Sequence, residues 1–431
     1  MMRQILIFAA LMSALPALAG NANLSDVYRL ALENDAVYAA ARESYKAGLE
    51  KEPQGRAGLL PTLNLGANLR YNESRSNMTP SSDYDSRSVF LTLTQPIYRK
   101  QNIEAYAQAK IQTLLSEQQL RQAEQNLLLS VAQAYFAVLQ ARDVLTTAQS
   151  QKQAFAEQLA QARKSFEVGA STITDTHEAQ ARYDLTVAQE IAALNDLEVK
   201  RRTLEKIIGS ESPELASLRD GVSLSLPEPN NMNDWVRQAE EDGIGVRLYQ
   251  SAVELARREV ERQRGSHHPT VDLAASYGDN RNPSSTISSS RSGNVGLEFG
   301  WLLYQGGAAN SRVREAVANQ EKSRHELDNA RRQARLDARQ GFLGVLSGDA
   351  QVKALEQALV SSEAQLKSTK LGLEVGVRTR VDVLNAQQQL FTTRRDLAAA
   401  RYQTLVAGLQ LKAAAGSLDA DDLKRIDALL Q

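Results

Sequence analysis

LEVGVRTRVDVLNAQ, residues 373–387, repeats FEVGASTITDTHEAQ, residues 166–180. Seven of the fifteen positions are identical, all at an offset of 207. Each copy interrupts a long helical pattern at a Val-Gly, Val168-Gly169 and Val375-Gly376. Glycine reaches the left-handed backbone that reverses a helix, so each motif reads as a helix hairpin. Thr172 and Thr379 stand where N-caps of the returning helices belong. Asp175 and Asp382, three residues on, favour the positive ends of those helices.

Working outward, the echo covers most of the chain. LSDVYRLALEND (24–35) aligns with MNDWVRQAEEDG (232–243), and LLPTLNLGANLRY (59–71) with HHPTVDLAASYGD (267–279). SVFLTLTQPIY (88–98) matches NVGLEFGWLLY (294–304), and the copies end on Ile-Gly-Ser (208–210) and Ala-Gly-Ser (415–417). The expected organisation is an internal duplication: repeats over 20–216 and 234–431, joined by a polar, Pro-containing linker at 217–233. Each repeat reads helix–strand–strand–long helix–break–helix.

The amino terminus reads as a secretory signal over 1–19. Arg3 is its positive region, ILIFAALMSALPAL its apolar core, and Ala17-Leu18-Ala19 its cleavage site. After it no run approaches the roughly 20 apolar residues of a membrane helix. The 431 residues carry a formal charge of -1, so no broad basic surface points to nucleic acid. Cysteine is absent, which excludes disulfides, thiolate catalysis, Cys-based zinc and an N-terminal lipid anchor on Cys. The four histidines are not spaced as ligands, and adjacent His267 and His268 read as a loop entering a strand. No nucleophile–base pair, phosphate loop or metal constellation has useful spacing, so neither an enzyme nor a cofactor is expected.

The strands bear on the membrane. Leu63, Leu65, Ala67, Leu69 and Tyr71 share one face; Asn64, Gly66, Asn68, Arg70 and Asn72 share the other. Val271, Leu273, Ala275 and Tyr277, and then Val295, Leu297, Phe299 and Trp301, alternate likewise. Period-two alternation over about ten residues fits either a half-buried soluble sheet or a transmembrane barrel with a wet interior. The barrel is favoured by aromatics at the strand ends (Tyr71, Tyr98, Tyr277, Trp301, Tyr304), placed as an interfacial girdle is. ESRSNMTPSSDYDSR (73–87) and DNRNPSSTISSSRSG (279–293) read as long polar hairpin loops. Phe90 breaks the pattern, since it shares a face with Thr92 and Thr94.

The helices show a sustained 3.5-residue repeat. It runs through Leu127, Val131, Ala134, Val138, Ala141, Leu145 and Ala148, continues to Phe166, and is broken only at Lys152. Ala334, Ala338, Gly341, Val345, Gly348, Val352, Leu355 and Leu359 keep it in the second copy. Such a repeat means left-handed supercoiling against neighbouring helices. A helix over about 103–166 would reach on the order of 95 Å, too long for a compact core. Four strands cannot close a barrel, and an open edge in lipid strands backbone groups at several kcal/mol each. Membrane strands would therefore require oligomerisation; two chains would give eight strands with a filled interior, and three would give twelve and a lumen.

These residues resemble the TolC family of trimeric outer-membrane export ducts. The resemblance covers essentially the whole mature chain. It is carried by LLPTLNLGA (59–67), AQAYFAVLQARDVL (132–145), VGASTITD (168–175), LLYQGGAANS (302–311) and VGVRTRVDVLNAQ (375–387). It implies a mainly α fold with membrane β: a trimeric twelve-strand outer-membrane barrel, four strands per chain, continued by a twelve-helix periplasmic α-barrel. It further implies a gated exit duct for proteins or small toxic compounds. The implied partners are a homotrimer, outer-membrane lipid, a periplasmic adaptor, and an inner-membrane ABC or proton-driven transporter. By the same resemblance Val168, Gly169, Thr172, Val375, Gly376 and Thr379 form adaptor-docking tips. The gate maps to Asp382, which matches the first of two family aspartates, and to Asn385, which replaces the second. Arg378 matches a gate-locking arginine, with Thr174 and Asp175 as its partners, whereas Leu373 replaces a locking tyrosine. Converging Asp382 carboxylates would raise their own pKa and attract cations. Relatives dedicated to drug efflux can carry a lipidated N-terminal Cys, so this chain looks more like shared or protein-secreting members. The alternative is a secreted periplasmic coiled-coil scaffold or adaptor, which explains the helices but not the strands.

Overall fold

A computed structural model describes residues 21–75, 81–219, 221–222 and 226–431. The expected signal segment lies outside the described residues, as do 76–80 of the first hairpin and 220 and 223–225 of the linker. Three helices, α1 (Leu24–Asn34), α2 (Ala36–Leu49) and α3 (Lys51–Ala57), precede β1 (Thr62–Ser74) and β2 (Ser82–Tyr98). The long α4 (Lys100–Glu167) and its return α5 (Ile173–Ile208) follow. The second half runs α6 (Met232–Asp242), α7 (Ile244–Arg264), β3 (Thr270–Ser284), β4 (Ile287–Gly300), α8 (Ala308–Glu374), α9 (Arg380–Ala414) and α10 (Ala420–Asp427).

Two features differ from the sequence expectation. Each strand pair is preceded by several helices rather than one, because local caps divide the segment. The Asp35 side chain accepts the Tyr38 N–H at 2.6 Å and starts α2, and Gly243 separates α6 from α7. The strands, at 13, 17, 15 and 14 residues, outrun the expected ten: 279–284 and 287–293 are strand around a two-residue turn, and the first expected loop likewise gives up 73–74 and 82–87 to β1 and β2. Pairing runs on to Ser284 opposite Ile287. Beyond the apolar band both faces of a strand meet water, so the alternation that marks a strand disappears.

The four strands form one antiparallel sheet in the order β1-β2-β3-β4. Its register keeps like residues together: Leu65 pairs with Leu91, Leu91 with Tyr277, and Ala275 with Val295. One face is therefore continuously apolar, and Leu65, Leu69 and Val295 are more than 70 % exposed on it. The other face carries Asn64, Asn68, Thr92 and Ser276. Phe90 does fall on this polar face, directly opposite Gly66 and Gly278. Its ring lies across Gly66, where an added Cβ would come within 2.2 Å of it. The aromatic ring fills the space the glycine leaves, a known compensation in sheets.

From the sheet the chain passes directly into α4, whose 68 residues reach about 100 Å. The long helices lie side by side in the order α5, α4, α9, α8. Most of the α4 heptad positions are buried, from Leu127 to Ala162. Gly348 lets α8 approach α9 closely, because a Cβ there would lie 2.3 Å from the Thr404 hydroxyl. The main core sits midway along α4, where α1 and α10 strap across it. Tyr135, Phe136, Leu139, Leu204 and Ile208 are buried there with Leu24, Tyr402 and Leu423. The Tyr135 hydroxyl donates to the carbonyls of Ala216 (2.8 Å) and Ala22 (3.1 Å). Among the described residues no helix is long and apolar enough to cross a membrane, so any crossing falls to the sheet.

Candidate gate and docking tip

The two helix reversals lie at the end of the molecule opposite the sheet, and their backbones are alike. Gly169 has φ 73° and Gly376 φ 80°. In the first, the Ala170 N–H donates to the Ser165 carbonyl (2.7 Å) and the Gly169 N–H to Phe166 (2.9 Å). In the second, Val377 donates to Gly372 (2.9 Å) and Gly376 to Leu373 (3.1 Å). Both patterns are Schellman motifs, which satisfy the last carbonyls of a helix. Each returning helix then opens with a reciprocal capping box. Asp175 N–H donates to the Thr172 hydroxyl (3.2 Å) while Thr172 N–H donates to the Asp175 carboxylate (3.1 Å). Asp382 and Thr379 repeat this at 3.2 and 2.9 Å.

The tips present apolar side chains to solvent: Val168, Val375 and Val377 are each at least 66 % exposed. Nothing lies within 4 Å of where a Cβ would stand on Gly169 or Gly376, so the turns offer bare backbone. The second turn carries an additional bond, because the Thr379 hydroxyl also lies 2.9 Å from the Asp382 carboxylate. The Thr379 N–H and then its hydroxyl hold the Asp382 carboxyl below the ordinary aspartate range. Within one chain this opposes the upward shift expected from converging carboxylates.

Other expected site residues do not meet within the chain. Arg378 donates its backbone N–H to the Gly372 carbonyl (3.0 Å) and lays its side chain over Gly372. Among the described residues no hydrogen bond or ion pair joins it to Thr174 or Asp175. The reason is geometric: α5 and α8 are opposite edges of the four-helix strip, and Asp175 is engaged by its own cap. Asn385 instead accepts from Arg182 on α5 at 2.9 Å. Arg380 bonds the Ser165 hydroxyl on α4, and Gln151 bonds Gln388. Higher up, the Tyr402 hydroxyl donates to Asp143 at 2.6 Å. These links tie α9 to the first-copy helices. Arg182 was not legible in the repeat, since Gln389 stands at its equivalent position.

At the other end, Tyr71 and Tyr277 close the apolar band on β1 and β3. Tyr98, Trp301 and Tyr304 stand where the sheet meets the helices. The Tyr98 hydroxyl and His268 Nδ1 are 3.1 Å apart, and Trp301 Nε1 donates to the His267 carbonyl at 3.1 Å. Arg99, between β2 and α4, holds the buried Asp272 of β3 through two bonds of 2.8 and 2.6 Å. Among the described residues no group of His, Cys, Asp and Glu could hold a metal.

The profile of the outer membrane efflux protein family matches residues 27–210 and 236–417. The alkaline protease secretion protein AprF of Pseudomonas aeruginosa is 33% identical over 416 residues, covering 94% of this chain and 86% of that one. The outer membrane protein TolC of Escherichia coli is 32% identical, covering 97% and 87%. The crystal structure of the Campylobacter jejuni CmeC outer membrane channel superposes with a TM-score of 0.83 at 16% identity, covering 95% and 90%. With both halves matched by one family profile and near-complete relatives above 30% identity, this chain belongs to the outer membrane efflux protein family.

Proposed function

We propose that three copies of this chain form a gated exit duct through the outer membrane and across the periplasm. One observation carries the reading: a four-stranded sheet with an exposed apolar face and two unpaired edges is continued by helices of 68 and 67 residues. In lipid those edges must pair, and β4 of one copy against β1 of the next closes twelve strands around a lumen. The helix strip repeats the problem at its edges. Leu185, Ile191, Leu194 and Val199 on α5 and Leu343, Val360 and Leu371 on α8 are exposed, as in an interface awaiting its neighbour. Docking α8 of one copy beside α5 of the next extends the strip to twelve helices. It also sets Arg378 near Thr174 and Asp175 of the adjacent hairpin.

In this reading Val168, Gly169, Thr172, Val375, Gly376 and Thr379 form six similar tips for a periplasmic adaptor. That adaptor links the duct to an inner-membrane ABC or proton-driven transporter, which supplies energy and selects cargo. Asp382 and Asn385 line the closed entrance, with Arg378 and Arg182 holding it. Tyr71, Tyr98, Tyr277, Trp301 and Tyr304 form the interfacial girdles. The chain divides into a signal over 1–19, repeats over 20–216 and 234–431, and a linker over 217–233. The secretion role named for the Pseudomonas aeruginosa relative supports protein export as one cargo class.

The test is the mass of the detergent-extracted protein by light scattering, with membrane fractionation. A trimer from the outer membrane is expected. A monomer or dimer in the soluble periplasmic fraction would replace the duct with the scaffold. Because the chain lacks cysteine, a Cys pair introduced at Leu194 and Val360 reports the α5–α8 contact cleanly. Oxidation should yield covalent trimers.

A further inference from the structure

The apolar face of the sheet ends in an arrangement that the duct itself does not require. Along β2 the outward residues run Leu93, Leu91, Val89 and then Arg87, so Arg87 is the first charge beyond the apolar band. Its partner on β1 is Leu69, still apolar, and its partner on β3 is Arg281. Two arginines therefore stand directly opposite each other on neighbouring strands, both exposed and both on the lipid-side face. Like charges in direct cross-strand pairs are unfavourable unless something offsets them. The carboxylates at hand do not do so. Asp279 lies one row away and is taken by Arg291 at 3.5 Å, and Asp85 lies two residues further from the band. Among the described residues neither the Arg87 nor the Arg281 side chain has a hydrogen bond or ion pair.

We propose that Arg87 and Arg281 together bind a phosphate of the glycolipid that forms the outer leaflet, one such site on each copy. Opposed residues on paired strands have Cβ atoms about 5 Å apart, so two guanidinium forks can converge on one phosphate. Guanidinium presents parallel N–H donors that match phosphate geometry, and an ionised acceptor strengthens each bond. Depth selects the lipid rather than a dissolved anion. The pair sits beside Leu69 and just past Val89, at the level where acyl chains give way to headgroups. An anion there is tethered by its own tails. The site thus fixes how deeply the barrel sits in the outer leaflet, an effect separate from cargo, adaptor and gate.

The proposal rests on the apolar face meeting lipid. That premise is read separately, from the mass and membrane fraction of the wild-type protein before any lipid is added; a soluble monomer would overturn duct and lipid site together. The trimer, extracted in a neutral detergent, is titrated with bisphosphorylated lipid A, its dephosphorylated counterpart and inorganic phosphate, and bound lipid is counted by native mass spectrometry. Wild type should bind the phosphorylated form about tenfold more tightly than the dephosphorylated one. Arg87→Gln/Arg281→Gln should lose that preference while remaining trimeric, as expected of two exposed side chains. Arg70→Gln, on the polar face of the same sheet, should keep it. Equal binding of the two lipid forms by wild type, or an undiminished preference in the double variant, would overturn the site. Displacement of the lipid by millimolar inorganic phosphate would overturn the lipid as its occupant.

Discussion

The two helix reversals share a backbone, but the helices leaving them do not share surroundings. At the 207-residue offset α9 has Leu384, Leu390, Phe391 and Leu397 where α5 has His177, Tyr183, Asp184 and Glu190. All four α9 residues are buried and none of the four on α5 is. The turn is set by local chemistry, a left-handed glycine and a capping box, and is the same in both halves. The flank is set by what packs against it. α9 lies between α4 and α8, whereas α5 is an edge that packs mainly on α4, with lighter contact to α1 and α9. α9 is an inner stave of the helix strip, and α5 is one of its edges.

The largest test of this contrast is core truncation. Phe391→Ala should destabilise the trimer by about 3–5 kcal/mol, while Asp184→Ala should stay within about 0.5 kcal/mol. Thermal midpoints of the two variants measure the difference, and similar shifts would remove the inner-stave assignment. The turns should behave oppositely. Gly169→Ala and Gly376→Ala should each lose about 1–2 kcal/mol, equally, because positive φ is the only obstacle at either site.

Next come the caps. Thr172→Ala and Thr379→Ala should each weaken their hairpin by about 1 kcal/mol. The second should lose more, because the Thr379 hydroxyl makes a further contact with Asp382. Asp382 also gives the pair a pH dependence. Its folded pKa is lowered, so its stabilisation is complete above the ordinary aspartate value of about 3.9 and fades as pH falls through the lower folded value. Cation selectivity in a planar bilayer follows the charge of the folded carboxylate, so it should persist at pH 5 and decline only below the ordinary aspartate value of about 3.9. Loss of selectivity already at pH 6 would mean that carboxylate repulsion in the trimer outweighs the cap. The smallest energetic effect is expected at Arg182. Arg182→Ala should change stability by less than about 1 kcal/mol yet raise single-channel conductance, as should Arg378→Ser. Unchanged conductance in either would strike that arginine from the lock.

The sequence disclosed features whose signal is local or periodic. The Val-Gly turns, three cleanly alternating strands and the heptad seam could all be read from it, because each depends on spacing along one chain. It disclosed little that depends on partners distant in the chain. Arg182–Asn385, Arg380–Ser165 and Tyr402–Asp143 join the two repeats across α4, α5 and α9, and no periodicity announces them. Strand ends carry no such signal where both faces are polar, at 73–74, 82–87, 279–284 and 287–293. Phe90 breaks the alternation because its ring covers Gly66 on the neighbouring strand, a pairing that only the register reveals.

One contact in the equatorial core bears on how the molecule is made. The first turn of α1 is capped not only by Asn23 but by Asp427 of α10, which accepts the Leu24 N–H at 2.9 Å and also bonds Ser25. The two groups are 403 residues apart in the chain. A chain that emerges amino end first therefore carries an incomplete helix start until nearly every other residue has arrived. Loops of that length close slowly, so the strap across the middle of the tube belongs among the last events of folding. Closure of this clasp records that synthesis has run to residue 427, and a truncated chain is left with its leading helix half-tied.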